Sequence, residues 1–343
     1  MPKNSTKILL LLALVSGMLI SLCANSWVGA WMGLEINLLS FIPLSSSNLN
    51  MLSSEASLKY FLIQAIASSA LLFMVVLKTN LPLELELLHM NFEKPLNNLI
   101  IFPLIMKIAG APLHWWLPPV VEGLSWMNCF IVLTIQKIAP IILISYTMIN
   151  NVFTQIIIIS SVFMGATSGF NQLSLRKILT FSSINHIGWM LMALIHSISL
   201  WLTYFIIYLL NILSIIYITS LFNISFISQT FNFPINQMIN KILLFLSLLS
   251  LGGLPPLLGF FTKWLVIQTA STNSFYISIS IMVMMSLITL FFYLRASYSG
   301  ILILNNEATW FSMNFIYSPK KIMTINYLII CFGMLLCTLM LTI

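Results

Sequence analysis

Windows of about twenty apolar residues recur from one end of this chain to the other. Eleven can be drawn in the 343 residues, and ~20 mostly apolar residues are what a helix needs to cross the hydrocarbon core of a bilayer. Charged residues make up only 6% of the sequence, against about 25% in a soluble domain. The sequence therefore predicts an all-α polytopic membrane protein. The windows are residues 8–24, 26–44, 58–77, 97–116, 124–147, 152–171, 178–196, 200–222, 242–267, 276–296 and 324–342.

The basic residues outside these windows are strongly biased to one side of the membrane. With eleven spans the two termini lie on opposite sides, and nine basic residues fall on the side of the N-terminus against two on the other. The positive-inside rule therefore predicts an N-terminus on the cytoplasmic-equivalent side. The nine are Lys3, Lys7, Lys59, Arg176, Lys177, Lys241, Arg295, Lys320 and Lys321, and the two are Lys78 and Lys94.

Several function classes lack the residues they need. The four cysteines are scattered without a C-x-x-C pair, so we expect no zinc site, iron–sulfur cluster or disulfide framework in this chain. Neither glycine-rich phosphate-binding motif is present, so we expect no nucleotide cofactor here either. No run of Lys and Arg exceeds two residues, which argues against a nucleic-acid partner. The expected surroundings are lipid.

Two of the windows are interrupted by proline and glycine. Residues 103–119 read PLIMKIAGAPLHWWLPP, and residues 252–264 read GGLPPLLGFFTKW. Broken backbone at membrane depth is tolerated only inside protein or beside water. Paired breaks five spans apart predict two inverted five-helix repeats. We expect half-repeats at 1–147 and 148–296, followed by a loop and one C-terminal helix over 297–343.

Four charged residues lie inside the apolar windows. They are Lys107, Lys137, Lys263 and Glu35, and each costs roughly 2.5–3.5 kcal/mol at a helix centre if nothing compensates it. Glu35 and Lys107 lie at similar depth near the middle of their spans. They could form a structural ion pair or a switch that opens and closes.

The remaining candidate site residues have two interpretations each. The sequence places no carboxylate near Lys137, and because burial in an apolar medium disfavours a charged lysine, Lys137 could exchange protons near neutral pH. Lys263 follows the GGLPP break but could also extend to the membrane interface. His186 could relay a proton or be a hydrogen-bonded core histidine. His114, beside two tryptophans, could line a hydrated exit or belong to an interfacial aromatic belt.

Five segments of the chain closely resemble one family. They are WMGLEINLLSFIP, MKIAGAPLHWWLPP, QKIAP, SLRKILTFSSINHIGWM and SLGGLPPLLGFFTKW, and they occur in the order found in the chain 2 family of animal mitochondrial NADH–ubiquinone oxidoreductase. The resemblance extends over essentially all 343 residues. Each motif alone is modest, but five in register are specific.

The resemblance implies an antiporter-like membrane-arm subunit of respiratory complex I, the H⁺-translocating NADH:ubiquinone reductase. In this family an acidic residue faces a lysine on a broken helix, a second lysine lies at the repeat interface, and a third ionisable residue follows the second break. By motif these are Glu35, Lys107, Lys137 and Lys263.

The same resemblance implies the surroundings of the chain. NADH, flavin, iron–sulfur clusters and ubiquinone would bind other subunits, so no cofactor is expected in this chain. The expected partners are other membrane-arm subunits and bilayer lipids, with cardiolipin as a candidate. The expected location is the mitochondrial inner membrane, with the N-terminus in the matrix and the C-terminus in the intermembrane space.

The resulting hypothesis is proton translocation driven by redox chemistry elsewhere. Opening and closing of the Glu35–Lys107 pair would change the proton affinity of Lys137, and a proton would then pass, with His186 as a relay, towards Lys263. Two alternatives stay open. The chain could be a free-standing cation/proton antiporter of the same architecture, or a passive membrane subunit whose buried charges only hold spans together.

Overall fold

The described part of the chain is almost entirely helical. The computed structural model describes residues 4–46, 50–85, 93–148, 150–232 and 238–302. Within them there is no β-strand, only an isolated bridge between Ser174 and Phe226, and a 3-10 helix covers Ile227–Asn232. The α-helices are α1 Asn4–Cys23, α2 Trp27–Ser45, α3 Met51–Leu85, α4 Glu93–Ile108, α5 Leu117–Gly123, α6 Trp126–Leu133, α7 Ile135–Ser145, α8 Val152–Gly169, α9 Leu175–His196, α10 Ile198–Phe222, α11 Met238–Gly252, α12 Leu258–Thr272 and α13 Tyr276–Leu302.

Among the described residues, eight stretches of helix are long and apolar enough to cross a membrane. Two shorter apolar helices, Asn97–Ile108 and Asn240–Gly252, begin the two windows that proline and glycine interrupt. The predicted last span at 324–342 lies outside the described residues. An all-helical, multi-pass membrane protein is therefore confirmed, and the count of eleven spans stays a prediction.

The third apolar window is shorter than the helix that contains it. Residues 58–77 were expected to cross the membrane between two loops, but α3 runs from Met51 to Leu85, about 52 Å at ~1.5 Å per residue. Its first turns carry a Glu55–Lys59 ion pair of 2.6 Å at helical spacing, which supports a helix that continues into water. Hydropathy locates the apolar part of a helix and not its ends, so the expected loops on either side were wrong over residues 51–57 and 78–85.

The fifth window contains a break that its composition did not suggest. Residues 124–147 were expected to form one continuous helix, but α6 ends at Leu133 and α7 begins at Ile135. Thr134 between them has φ −123° and ψ −75°, outside helical geometry. The Thr134 hydroxyl donates 2.6 Å to the carbonyl of Phe130, and such back-bonding from Ser and Thr bends helices.

The chain forms two compact units, Met1–Ser161 and Val162–Ile343, divided within α8. In the first unit α2 packs between α1 and α3, and α7 packs against α1, α2, α4 and α6. In the second unit α10 packs against α9, α11 and α12. The middle of α9 is the most enclosed of the eight candidate spans.

Glycines allow the closest helix contacts in the first unit. A Cβ added at Gly33 of α2 would lie 2.5 Å from the backbone nitrogen of Ser21 and 2.8 Å from the carbonyl oxygen of Gly17. Small residues at such crossings let backbones approach, which is how helices associate where lipid removes the hydrophobic driving force. Because Gly33 lies two residues before Glu35, this contact also positions the acidic side chain.

We expect Gly33→Ala to destabilise the protein more than Gly29→Ala, one turn earlier on the same helix. The new methyl at position 33 meets backbone that cannot move alone, and such overpacking costs about 1–3 kcal/mol. At position 29 the nearest atoms are the Ser26 Oγ at 3.2 Å and the Ala24 Cβ at 3.3 Å, so the new methyl meets side-chain atoms at longer distances than the backbone contacts at position 33. Thermal unfolding in detergent measures the difference, and equal midpoints for the two variants would contradict this account of the α1–α2 contact.

Candidate functional site

Two helices end in the same way where the sequence predicts a break. After α4, Ala109 adopts a left-handed conformation with φ 65°, and the N–H of Gly110 donates to the carbonyl of Ile105. After α11, Gly253 has φ 85°, and the N–H of Leu254 donates to the carbonyl of Leu249. A left-handed residue followed by a bond that spans five residues is the Schellman ending of a helix. Both interruptions therefore lie where glycine and proline indicated.

Polar side chains satisfy the carbonyls that these endings leave open. At the first break the Trp116 indole donates 3.0 Å to the carbonyl of Met106. The Gln64 amide lies 3.4 Å from the carbonyl of Lys107. At the second break the Lys263 ammonium donates 2.8 Å to the carbonyl of Gly252. A cation at a helix C-terminus also interacts favourably with the helix dipole.

Lys107 and Glu35 occupy neighbouring positions without closing an ion pair. Lys107 lies in the last turn of α4 and is 7% exposed, and Glu35 on α2 is half-buried. The two charges attract each other electrostatically, but no direct ion pair joins these two described residues. One carboxylate oxygen of Glu35 is buried with no hydrogen-bond partner in this part of the chain. The arrangement is an open pair.

A small polar cavity lies beside Lys107 and between α2, α3, α4 and α7. It has room for about one water molecule, which needs two to four polar partners to be stable. The Tyr60 hydroxyl donates 3.0 Å to the Gln136 carbonyl oxygen. The side-chain oxygen Oδ1 of Asn37 and the side-chain nitrogen Nε2 of Gln136 have no hydrogen-bond partner among the described residues. The polar residues that line the cavity are Asn37, Tyr60, Gln64, Lys107 and Gln136.

Lys137 follows Gln136 and lies in the first turn of α7. It is 2% exposed and is among the largest fully buried side chains. Its backbone N–H donates 3.1 Å to the carbonyl of Thr134, the residue that separates α6 from α7. Because α4 and α7 are in contact and Gln136 shares a cavity with Lys107, the structure brings the second predicted lysine close to the first. Lys107 and Lys137 thus each lie within a few residues of a helix interruption.

Lys263 is buried at the second break rather than extended to an interface. It is 6% exposed, and its ammonium lies 5.9 Å from the centre of the Trp189 ring on α9. A Cβ added at Gly253 would approach the Lys263 side chain to within 3.1 Å. The left-handed glycine therefore leaves the space that the lysine occupies.

The two candidate histidines are both largely buried but differ in setting. His186 lies in the middle of α9 and is 6% exposed, and its Nδ1 lies 2.8 Å from the Tyr204 hydroxyl on α10. His114 lies in the first break, with Nδ1 3.3 Å from the carbonyl of Pro112. The first contact is between side chains in a helical core, whereas the second is local to a turn.

Several polar residues of the site were not singled out from the sequence. Asn37 and Gln136 are close to Glu35 and Lys137 in the sequence, so their polarity inside apolar windows was the available clue. Tyr204 lies in a span that contains other tyrosines, and nothing in its spacing points to His186. Among the described residues no group of three or more His, Cys, Asp or Glu side chains could hold a metal ion.

Sequence comparisons identify relatives of this chain. Residues 24–289 match the family described as NADH:quinone oxidoreductase/Mrp antiporter, transmembrane. NADH-ubiquinone oxidoreductase chain 2 of Anopheles gambiae is 47% identical over 92% of this chain and 91% of that protein. NADH-ubiquinone oxidoreductase chain 2 of Aedes aegypti is 48% identical over 99% of this chain and 98% of that protein.

Solved structures share the fold at lower identity. A chain of respiratory complex I from Thermus thermophilus superposes with a TM-score of 0.77 at 23% identity, over 88% of this chain and 71% of that one. A chain of the Mrp complex from Dietzia has a TM-score of 0.73 at 19% identity, over 85% of this chain and 60% of that one. The chain therefore belongs to the NADH:quinone oxidoreductase/Mrp antiporter family of membrane proteins and, within it, to the group named NADH-ubiquinone oxidoreductase chain 2.

Proposed function

We propose that this chain is a core membrane-arm subunit of the proton-pumping NADH:ubiquinone oxidoreductase, respiratory complex I. One observation carries the proposal: Lys107, Lys137 and Lys263 are all buried, and each lies beside an interrupted helix. Ionisable residues inside membrane spans are costly and mark ion pathways. The names of the relatives at 47–48% identity support the assignment to complex I.

In the first unit the mechanism begins at the open pair of Glu35 and Lys107. When Lys107 approaches the carboxylate its charge is compensated, and when it turns away the positive charge moves towards α7. Repulsion between like charges then favours release of the proton from Lys137. The cavity beside Gln136 supports this step. The side-chain oxygen of Asn37 and the side-chain nitrogen of Gln136 have no partner among the described residues, so they can hydrogen-bond a water between the groups whose charges change.

In the second unit His186 and Lys263 carry the proton onward. The ammonium of Lys263 is stabilised by the carbonyl of Gly252, so its proton is held at the end of α11 until that bond opens. Moving one charge against a membrane potential of 100 mV costs about 2.3 kcal/mol, so the step needs a drive from outside the chain. We assign the NADH, flavin, iron–sulfur and quinone chemistry that supplies this drive to other subunits.

The two half-repeats and the orientation of the chain in the membrane are part of the same proposal. The matching endings of α4 and α11 support two inverted half-repeats at 1–147 and 148–296, with a last helix in 297–343. The excess of basic residues on one side supports an N-terminus in the matrix and a C-terminus in the intermembrane space, in the mitochondrial inner membrane.

Replacing Lys137 by methionine tests the function directly. Methionine keeps the length and the apolar stem but cannot hold a proton, so we expect assembled complex carrying Lys137→Met to pump fewer protons per NADH oxidised. The measurement is NADH-driven proton uptake and quinone reduction on the same reconstituted vesicles. Lys59→Met is the matched control, because that lysine is exposed and paired only with Glu55 on its own helix.

The outcomes separate three functions. Normal pumping by Lys137→Met would overturn the assignment and favour a structural role for the buried charges. Loss of assembly would make Lys137 a scaffold residue instead. Cation/proton exchange by the isolated chain, in vesicles without the rest of the complex, would favour a free-standing antiporter.

The long helix α3 allows a test of orientation. Ser54 and Thr79 are both exposed, and they lie about 37 Å apart along the helix at ~1.5 Å per residue, more than the ~30 Å hydrocarbon core. In a background with Cys23, Cys331 and Cys337 replaced by serine, which leaves only the buried Cys129, we expect a membrane-impermeant thiol reagent to label Ser54→Cys only from the matrix side and Thr79→Cys only from the intermembrane space. The reverse pattern would contradict the proposed orientation, and labelling of both from one side would contradict a spanning α3.

A further inference from the structure

The small cavity beside Lys107 has both polar and apolar walls. Leu34, Leu38 and Pro140 form the apolar part, and the rest of its lining is polar. The volume suits about one water molecule, and a buried water is stable where two to four polar groups converge on it. The question is therefore whether these polar groups supply a water with both donors and acceptors.

Tyr60 determines which end of the Gln136 amide faces the cavity. The Tyr60 hydroxyl donates 3.0 Å to Oε1 of Gln136, and the amide nitrogen could not take that hydrogen because it only donates. Oε1 is therefore committed to Tyr60. Nε2 has no hydrogen-bond partner among the described residues, so Gln136 lines the cavity as a donor.

Asn37 supplies the complementary acceptor. It lies on α2 and is 2% exposed, and its Oδ1 has no hydrogen-bond partner in the described part of the chain. A water that accepts a hydrogen bond from Nε2 of Gln136 can donate one of its own hydrogens to Oδ1 of Asn37. These two bonds use one lone pair and one hydrogen of the water, and one of each is left for further partners.

The backbone of α7 and the first lysine are the further partners. Pro140 lies inside α7 and has no N–H, so the carbonyl of Gln136, four residues earlier, lacks the donor that a regular α-helix gives it. A water in the cavity can take the place of that donor. Its remaining lone pair can accept from the ammonium of Lys107, which carries donors only.

We propose that Asn37 and Gln136 bind a single water molecule in this cavity, with Tyr60 as the positioning residue that turns the amide of Gln136 towards it. The oxygen of this water is the acceptor that the ammonium of Lys107 meets when it turns away from Glu35. The inference rests on the proposed function, in which this pair opens and closes. The lysine stays an ammonium throughout and exchanges a carboxylate for a water oxygen, so no proton is transferred at this step.

The neutrality of the site is what makes it useful to the next lysine. Gln136 precedes Lys137 in the first turn of α7, so an ammonium bonded to this water lies beside the helix that carries Lys137. A water held by two amides stabilises the open position of Lys107 without cancelling its positive charge. A carboxylate in the same place would cancel that charge, and the repulsion that favours proton release from Lys137 would be lost.

The water itself is the first thing to detect. In a cryo-EM map of the assembled complex, at a resolution that shows ordered waters, we expect one density peak within hydrogen-bond distance of Nε2 of Gln136 and Oδ1 of Asn37. A map that shows other buried waters of this chain but none here would overturn the proposal. This measurement needs no substitution, so it decides the question even where a variant fails to assemble.

Two substitutions remove the ligands of the water one at a time. Gln136→Met keeps the length of its side chain and Asn37→Leu keeps its approximate shape, but neither new side chain can bond a water. We expect each to remove the density peak and to lower the protons pumped per NADH towards the value of Lys107→Met. Gln155→Met is the matched control and should keep the wild-type ratio, because Gln155 bonds Asn150 near the protein surface and does not line the cavity.

A double substitution tests the positioning role of Tyr60. Tyr60→Phe keeps the ring that packs edge to face against Phe41 and Trp116 and removes only the hydroxyl. If the hydroxyl acts through Gln136, Tyr60→Phe lowers pumping by itself but adds no further loss to Gln136→Met. Losses that add would instead mean an independent structural role, and Tyr60 would not be a positioning residue.

The remaining outcomes separate this inference from the proposed function. If Lys107→Met lowers pumping while Gln136→Met and Asn37→Leu do not, the proposed function holds and the role of the water is wrong. If Lys107→Met pumps normally although the density peak is present, the water is structural, and the inference fails together with the switch on which it rests.

Discussion

Backbone carbonyls at membrane depth need hydrogen-bond donors inside the protein, and this requirement organises the structure. A helix that ends in the bilayer leaves its last carbonyls without partners, and lipid offers none. The chain solves the problem at both predicted breaks with a left-handed residue and a buried donor, Trp116 at the first and Lys263 at the second. Because the second donor is a cation, the group that stabilises the broken backbone also holds a proton.

This double role affects how substitutions in the second unit should be interpreted. Removing Lys263 leaves the carbonyl of Gly252 without its side-chain donor, which costs roughly 1–3 kcal/mol for a buried group. A loss of activity at this position would therefore mix a structural effect with a loss of proton transfer.

The sequence predicted those features that have a strong compositional signature. Apolar windows located the spans, glycine and proline located two breaks, and rare charges inside windows located Lys107, Lys137 and Lys263. The break at Thr134 was missed because it contains neither glycine nor proline, and a threonine that bonds back to Phe130 resembles any other threonine in a helix. The contact between Tyr204 and His186 depends on the rotation of α10 against α9, which arises from side-chain packing and has no sequence signature of its own.

Buried polar groups with unpartnered atoms occur in both units, and this incomplete satisfaction fits a path along which protons move. Around Lys107 the polar groups are incompletely satisfied, since the carboxylate of Glu35, the carbonyl of Asn37 and the amide of Gln136 each keep an unpartnered atom among the described residues. Such a site can change its hydrogen bonds at low cost when a charge moves or a water enters. Around His186 the ring Nδ1 has a partner in the Tyr204 hydroxyl, but the side-chain oxygen of Asn185 and the indole nitrogen of Trp189 have none among the described residues. A pump needs such groups, because its hydrogen bonds must rearrange each time a charge passes.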